Sequence, residues 1–171
     1  MKSNLSMKSL LKKHLIDTID CISQNITYPI WHKTDTAGRV YWGVASFCGL
    51  DKCPICPDQD LSQLEWDGNE VYLDAYTDED VTDMLKKAIG IMLFWKSELE
   101  TRYAETSFYL SASYDDGDIL ILDEDESPVK SITMRFWADR RENNVINLSN
   151  FDSWDQPAIM EHIISNAPPK T

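Results

Sequence analysis

The densest group of chemically capable side chains is the run Cys48-Gly49-Leu50-Asp51-Lys52-Cys53-Pro54-Ile55-Cys56-Pro57. Thiolates at this C-x4-C-x2-C spacing on a loop can converge on a cation, as in zinc knuckles, and the same spacing opens the plant-type iron–sulfur pattern. Both schemes normally take a fourth ligand further along, and no Cys follows Cys56. The other donors are Cys21, upstream on an expected helix, and His14 and His32. Cys48, Cys53 and Cys56 are therefore the candidate zinc ligands, weighed against a proline-braced loop of ordinary reduced thiols. Cys53 and Cys56 also have redox-pair spacing. Such pairs draw their reactivity from a helix N-terminus or neighbouring cations, whereas Pro57-Asp58-Gln59-Asp60 brings acids.

Other catalytic patterns are weakly represented. The chain has three His and no nucleophile elbow, phosphate-binding loop or His-Glu-x-x-His helix. Asp115-Asp116-Gly117-Asp118 begins like a calcium loop. An EF-hand, however, needs a longer series closed by Glu at its twelfth position, and the apolar run Ile119 to Leu122 interrupts that series. A solvated turn accounts for these acids. The expectation is a protein without catalytic activity or a resident cofactor, with zinc as the alternative.

Charge is the stronger signal. Of the 171 residues, 29 are acidic and 16 basic, for a net charge of −13. Residues 58–126 hold twenty of the acids and only four Lys or Arg; the segments on either side are close to balance. A one-sign field of this kind attracts basic surfaces and repels nucleic acid and anionic lipid. With 43% apolar residues and six Trp the chain can build a core, which separates it from disordered acidic chains. The longest apolar stretch, Ala88 to Trp95, is far shorter than the ~20 residues of a membrane span. No signal-like run precedes Lys12 and Lys13. A cytoplasmic protein is expected, with its thiols reduced.

The elements follow from periodicity. Asn4 to Gln24 reads as an amphipathic helix through Leu11, Leu15, Ile19 and Ile22. Arg39 to Phe47 and Glu70 to Tyr76 read as strands. Thr77-Asp78-Glu79-Asp80 is a strong helix start. A long helix is expected from about Glu79 to Ala104, with Val81, Met84, Leu85, Ala88, Met92, Trp95 and Leu99 on its buried stripe. Phe108 to Tyr114 and Ile119 to Leu122 flank an Asp-Gly turn and suggest a hairpin. Val129 to Trp137 adds a strand, Val145 to Leu148 a possible edge strand, and Trp154 to Ser165 a short closing helix. This order gives an α+β single domain over 1–166, an antiparallel sheet with three helices, and a loose tail over 167–171.

Within this frame, Asp115, Asp116 and Asp118 at one end of the expected hairpin, and Asp123, Glu124, Asp125 and Glu126 at the other, form the candidate partner-binding surface. Trp137 and Trp154 are expected in the core, and Arg140 and Arg141 as counter-charges to the acidic region. The stretch Pro128-Val129-Lys130-Ser131-Ile132-Thr133-Met134-Arg135-Phe136-Trp137-Ala138, with Asp155-Gln156-Pro157 downstream, resembles bacterial immunity proteins of polymorphic-toxin or contact-dependent growth inhibition systems. The resemblance covers about a quarter of the chain and is one of kind. It implies a small cytosolic α+β protein that binds and neutralises a cognate basic toxin domain, often a nuclease. It carries over no individual binding residue and leaves the cysteine loop unexplained. The alternatives are a zinc or redox protein centred on that loop, and an acidic nucleic-acid mimic that inhibits a nucleic-acid-binding enzyme.

Overall fold

Two capping residues set where the first and longest helices begin. In the computed structural model, which describes residues 1–17, 28–44, 50, 55–117, 129–140 and 148–165, Asn4 caps helix α1 (Leu5–Lys13). Its Oδ1 accepts from the Met7 and Ala158 amides, and its Nδ2 donates to the Gln156 carbonyl. Thr77 opens α3 (Asp78–Arg102) with a reciprocal capping box: its hydroxyl accepts from Asp80 N, and Asp80 Oδ2 accepts from Thr77 N. Asp78, Glu79 and Asp80 then oppose the positive end of the helix dipole. All seven apolar positions expected on the stripe of this helix are buried, with Ile89 and Ile91 beside them. Each Val, Leu, Ile or Met side chain among them contributes about 1.5–3 kcal/mol when taken from water.

The stripe packs on a five-stranded antiparallel sheet in the order β1-β7-β5-β6-β4. The strands are β1 (Lys2–Ser3), β4 (Val71–Ala75), β5 (Phe108–Asp115), β6 (Lys130–Ala138) and β7 (Ala158–Ile163). Phe108, Leu110 and Ala112 of β5, and Ile132, Met134 and Phe136 of β6, face α3 and are buried. A separate hairpin pairs β2 (Ile30–Thr34) with β3 (Val40–Val44). Its turn carries Gly38 at φ +81°, a conformation open to glycine.

Helix α2 (Leu61–Gly68) joins hairpin to sheet. The half of β6 beyond the end of β4 and the free side of β3 both expose backbone groups, and two side chains of α2 lie between them. Glu65, with no solvent exposure, accepts from Trp42 N (3.0 Å) and Ala138 N (2.8 Å). Asn69, at the helix end, donates to the carbonyls of Trp42 and Phe136 and accepts from Val44 N. These bonds replace the ladder that two adjoining strands would have made. Arg140 neutralises the buried carboxylate with a fork, Nη2 to Oε1 at 2.7 Å and Nη1 to Oε2 at 2.8 Å.

The α+β architecture matches the expectation, with β1, β2 and α2 additional to it and with differences at individual elements. The closing helix expected over Trp154–Ser165 is absent; a 3₁₀ segment (Leu148–Ser153) and strand β7 stand at the C-terminal end. Ala158 and Met160 line one sheet face and Ile159 and Ile163 the other, so two-sided burial, as in an interior strand, hid the alternation. Of the expected hairpin, Phe108–Tyr114 is strand β5, which pairs with β6 on one side and β7 on the other; Ile119–Leu122 lies outside the described residues. The N-terminal helix stops at Lys13, short of Gln24, and residues 18–27 lie outside the described set. Of the expected edge strand over 145–148, Leu148 belongs to the 3₁₀ segment and the rest is outside the described residues.

Candidate functional site

The sheet face turned away from α3 has two halves of different character. One is filled by rings: Phe151, Trp154 and Trp66 pack with Trp137, Tyr109, Ala158 and Met160. Trp137 stacks on Tyr109 and meets Trp66 edge-on. Tyr109 in turn stacks on His162, whose Nε2 lies 3.0 Å from Asp139 Oδ2. Arg135 caps the other end, over Trp66 and ion-paired with Glu70. Trp137 is core, as expected, and Trp154 packs at its margin.

The other half carries short hydroxyls and acids. Asp74 of β4 lies opposite Ser131 of β6, which lies opposite Asp115 of β5. With neighbouring strands ~4.8 Å apart, the backbones at Asp74 and Asp115 are about 10 Å apart across this row. Beyond Asp115 the chain turns sharply. Asp115 Oδ1 accepts from Gly117 N (2.8 Å), and Gly117 takes φ +81°. Asp116 is thereby held exposed at the tip. Tyr114 N donates to Pro157 O (2.9 Å), fixing the segment before β7 beside the end of β5. Tyr114, Asp115, Asp116, Asp155, Gln156 and Pro157 then bound a cavity of about 440 Å³. Acids from three separate parts of the sequence thus meet at one end of the sheet.

Internal pairing accounts for several other acids of the middle third. Asp60 caps α2, and Glu65 is buried against Arg140. Glu70 pairs with Arg135, and Glu98 with Arg102. Asp78 pairs with Lys130 at 2.5 Å; this hydrogen bond and charge hold the Asp78 carboxyl below its ordinary value. Among the described residues no ion pair involves Asp74, Asp83 or Asp115. Burial, the first of several influences, pushes the Tyr114 phenol up.

A second acidic hollow of about 260 Å³ lies between β4 and the start of α3, lined by Leu73, Asp74, Tyr76, Asp80, Asp83, Met84 and Lys87. The cavity beside Arg39 and Arg140 has a different role. Arg39 is held by Asp35 and by the carbonyls of Cys56 and Gln59, and Arg140 by Glu65 and the Val40 carbonyl. Both guanidinium groups brace loops.

Of the surface expected from sequence, Asp115 and Asp116 fall on the acidic end of the sheet; Asp118, Asp123, Glu124, Asp125 and Glu126 lie outside the described residues. Cys48 and Cys53 do as well, while Cys56 is exposed. Among the described residues, no group of three or more His, Cys, Asp or Glu is arranged to hold a metal ion. No helix among them is long and apolar enough to cross a membrane. The sequence reading missed Asp74 and Asp155 as members of the site. Asp155 had a signal, since Asp155-Gln156-Pro157 had already stood out; Asp74 had only its place in an acidic run. Comparison with known proteins found no matching family model, curated protein or solved structure.

Proposed function

We propose that this protein is a binding protein that captures and neutralises a basic toxin domain, in the manner of the immunity proteins its sequence resembles. One observation carries the reading: among the described residues, Asp74 and Asp115 on the strands, with Asp116 and Asp155 beside the strand ends, gather at one end of a sheet face whose other half is filled by rings. Strand register fixes the spacing of Asp74 and Asp115, and the hydrogen bond from Tyr114 N to Pro157 O holds the segment of Asp155 beside the end of β5, so a basic patch meets them with little ordering cost. Long-range attraction then raises association by roughly 10–1000-fold and selects against acidic partners.

The test is co-expression with the C-terminal domain encoded by the adjacent upstream reading frame. The expected result is a complex that co-purifies and restores growth. Its association rate should fall at least about tenfold between ~50 mM and ~500 mM salt, as screening shortens the reach of the field. Asp115→Lys with Asp155→Lys should lower the rate further. Absence of both complex and protection would overturn the proposal.

A further inference from the structure

At the β4 edge of the main sheet the ladder stops without a replacement among the described residues, and this edge lies beside the acidic row. Direction of the backbone groups follows from alternation in antiparallel pairing. Phe136 O and Ala138 N bond to Asn69 and Glu65, on the side of β6 away from β5. Asp139 N bonds back to Ser107 O on the β5 side. Even-numbered residues of β6 therefore turn their N–H and C=O toward β4. Their opposites Val71, Leu73 and Ala75 point inward to meet them. Tyr72 and Asp74 consequently aim both backbone groups outward, and no hydrogen bond among the described residues satisfies them. The contrast with the other half of β6, where α2 sends in Glu65 and Asn69, is sharp.

We infer that this edge accepts an extended basic segment of a partner protein as a sixth strand. Such a strand would make four main-chain hydrogen bonds, two each with Tyr72 and Asp74. Side chains opposite Asp74 fall on the acidic face, in the row leading to Asp115. The alternate ones fall on the α3 side, over Leu73 and Met84, with Asp80 and Asp83 on the rim. The segment that fits alternates Lys or Arg with aliphatic residues. Tyr72 and Tyr76, 56% and 68% exposed, supply flanking apolar area. A second copy of this chain is a poor occupant, because it would bring its own Asp74, Asp80 and Asp83 to the same groove and oppose one body of charge −13 with another. The inference rests on the proposed function for the basic character of the partner and adds how that partner docks.

The probe is a capped eight-residue peptide alternating Lys and Val, titrated into isotopically labelled full-length protein by NMR. Binding should shift the amides of Tyr72 to Tyr76 and of Asp83. A glutamate–valine peptide should not bind. The same Lys–Val peptide with alternate amides N-methylated keeps its charge and loses its donors, so its affinity should fall at least about tenfold. Asp74→Pro should do the same to the parent peptide. Proline is tolerated where the N–H faces outward on an edge, and an unchanged thermal transition will confirm the fold; Asp74→Asn keeps the N–H and should retain more affinity than the proline variant. Equal binding by the N-methylated peptide, shifts confined to the Asp115 and Asp155 end, or no binding at millimolar peptide would each overturn strand addition. A toxin complex that survives Asp74→Pro would refute this edge while leaving the proposed function standing; protection that fails alongside peptide binding at the edge would do the reverse.

Discussion

Replacing Glu65 with alanine removes a carboxylate that satisfies four donors at once: the amides of Trp42 and Ala138 and both terminal nitrogens of Arg140. The two amides are left buried, at about 1–3 kcal/mol each. Breaking a buried ion pair by removing one partner costs about 3–5 kcal/mol, and here the lower end applies to the cation, because the Arg140 side chain is 27% exposed and can turn to water. Glu65→Ala should therefore destabilise the protein by about 5–9 kcal/mol, comparable with the ~5–15 kcal/mol that holds a domain folded. Glu65→Gln keeps the volume and one acceptor, and should cost less. Urea denaturation followed by circular dichroism measures both. The companion experiment is a double-mutant cycle with Arg140→Met, which should be costly in the native background and cost under about 1 kcal/mol once Glu65 is alanine. A Glu65→Ala loss below about 1 kcal/mol, or an Arg140→Met cost that is the same in both backgrounds, would refute the argument that this pair stitches hairpin to sheet.

Thr77→Ala breaks the capping box of α3 and should cost about 1 kcal/mol by urea denaturation, with Thr77→Ser close to neutral. A Cβ at Gly43 would stand 2.0 Å from the Trp31 ring across the hairpin, so Gly43→Ala must push that indole aside; tryptophan fluorescence should shift and the melting temperature should fall. Burial works against ionisation of Glu161, but its ion pairs with Lys96 and with the Met1 amino group at 2.6 Å prevail and hold its pKa below the ordinary 4.5. Because the unfolded chain then takes up the proton first, the stabilisation is complete above that value and is lost as pH falls through the folded one. Glu161→Gln should accordingly lower stability near neutrality and flatten its decline in acid, read from denaturation midpoints between about pH 7 and pH 3; a parallel decline in both proteins would count against the pairing.

Elements whose sidedness is written in a single period were legible from sequence. The buried stripe of α3 appears at 3.6-residue spacing behind a capping threonine, and it came through residue for residue. Strands β4, β5 and β6 were read within a residue or so, because apolar side chains toward α3 alternate with hydroxyls and charges on the far face. Strand β7 was misread as a helix, since Ala158-Ile159-Met160 is buried on both faces and shows no alternation. Helix α2 is two turns long, too short for periodicity to reveal. Glu65 has no sequence mark that separates it from the other nineteen acids of its segment, although among the described residues it is the one fully buried.

Composition and order alone determined that this chain has a core, that its acids concentrate between residues 58 and 126, and that its fold is α+β. These are sums over many residues, and sums are insensitive to contacts. Which acids are available to a partner is a matter of pairing in space, and only the tertiary structure decided it. Arg140, Arg135, Lys130 and Arg102 engage Glu65, Glu70, Asp78 and Glu98, while strand register sets Asp74 and Asp115 in one row and the bond from Tyr114 to Pro157 brings Asp155 alongside. Register and long-range hydrogen bonds join residues forty or more positions apart, and no local pattern along the chain encodes that.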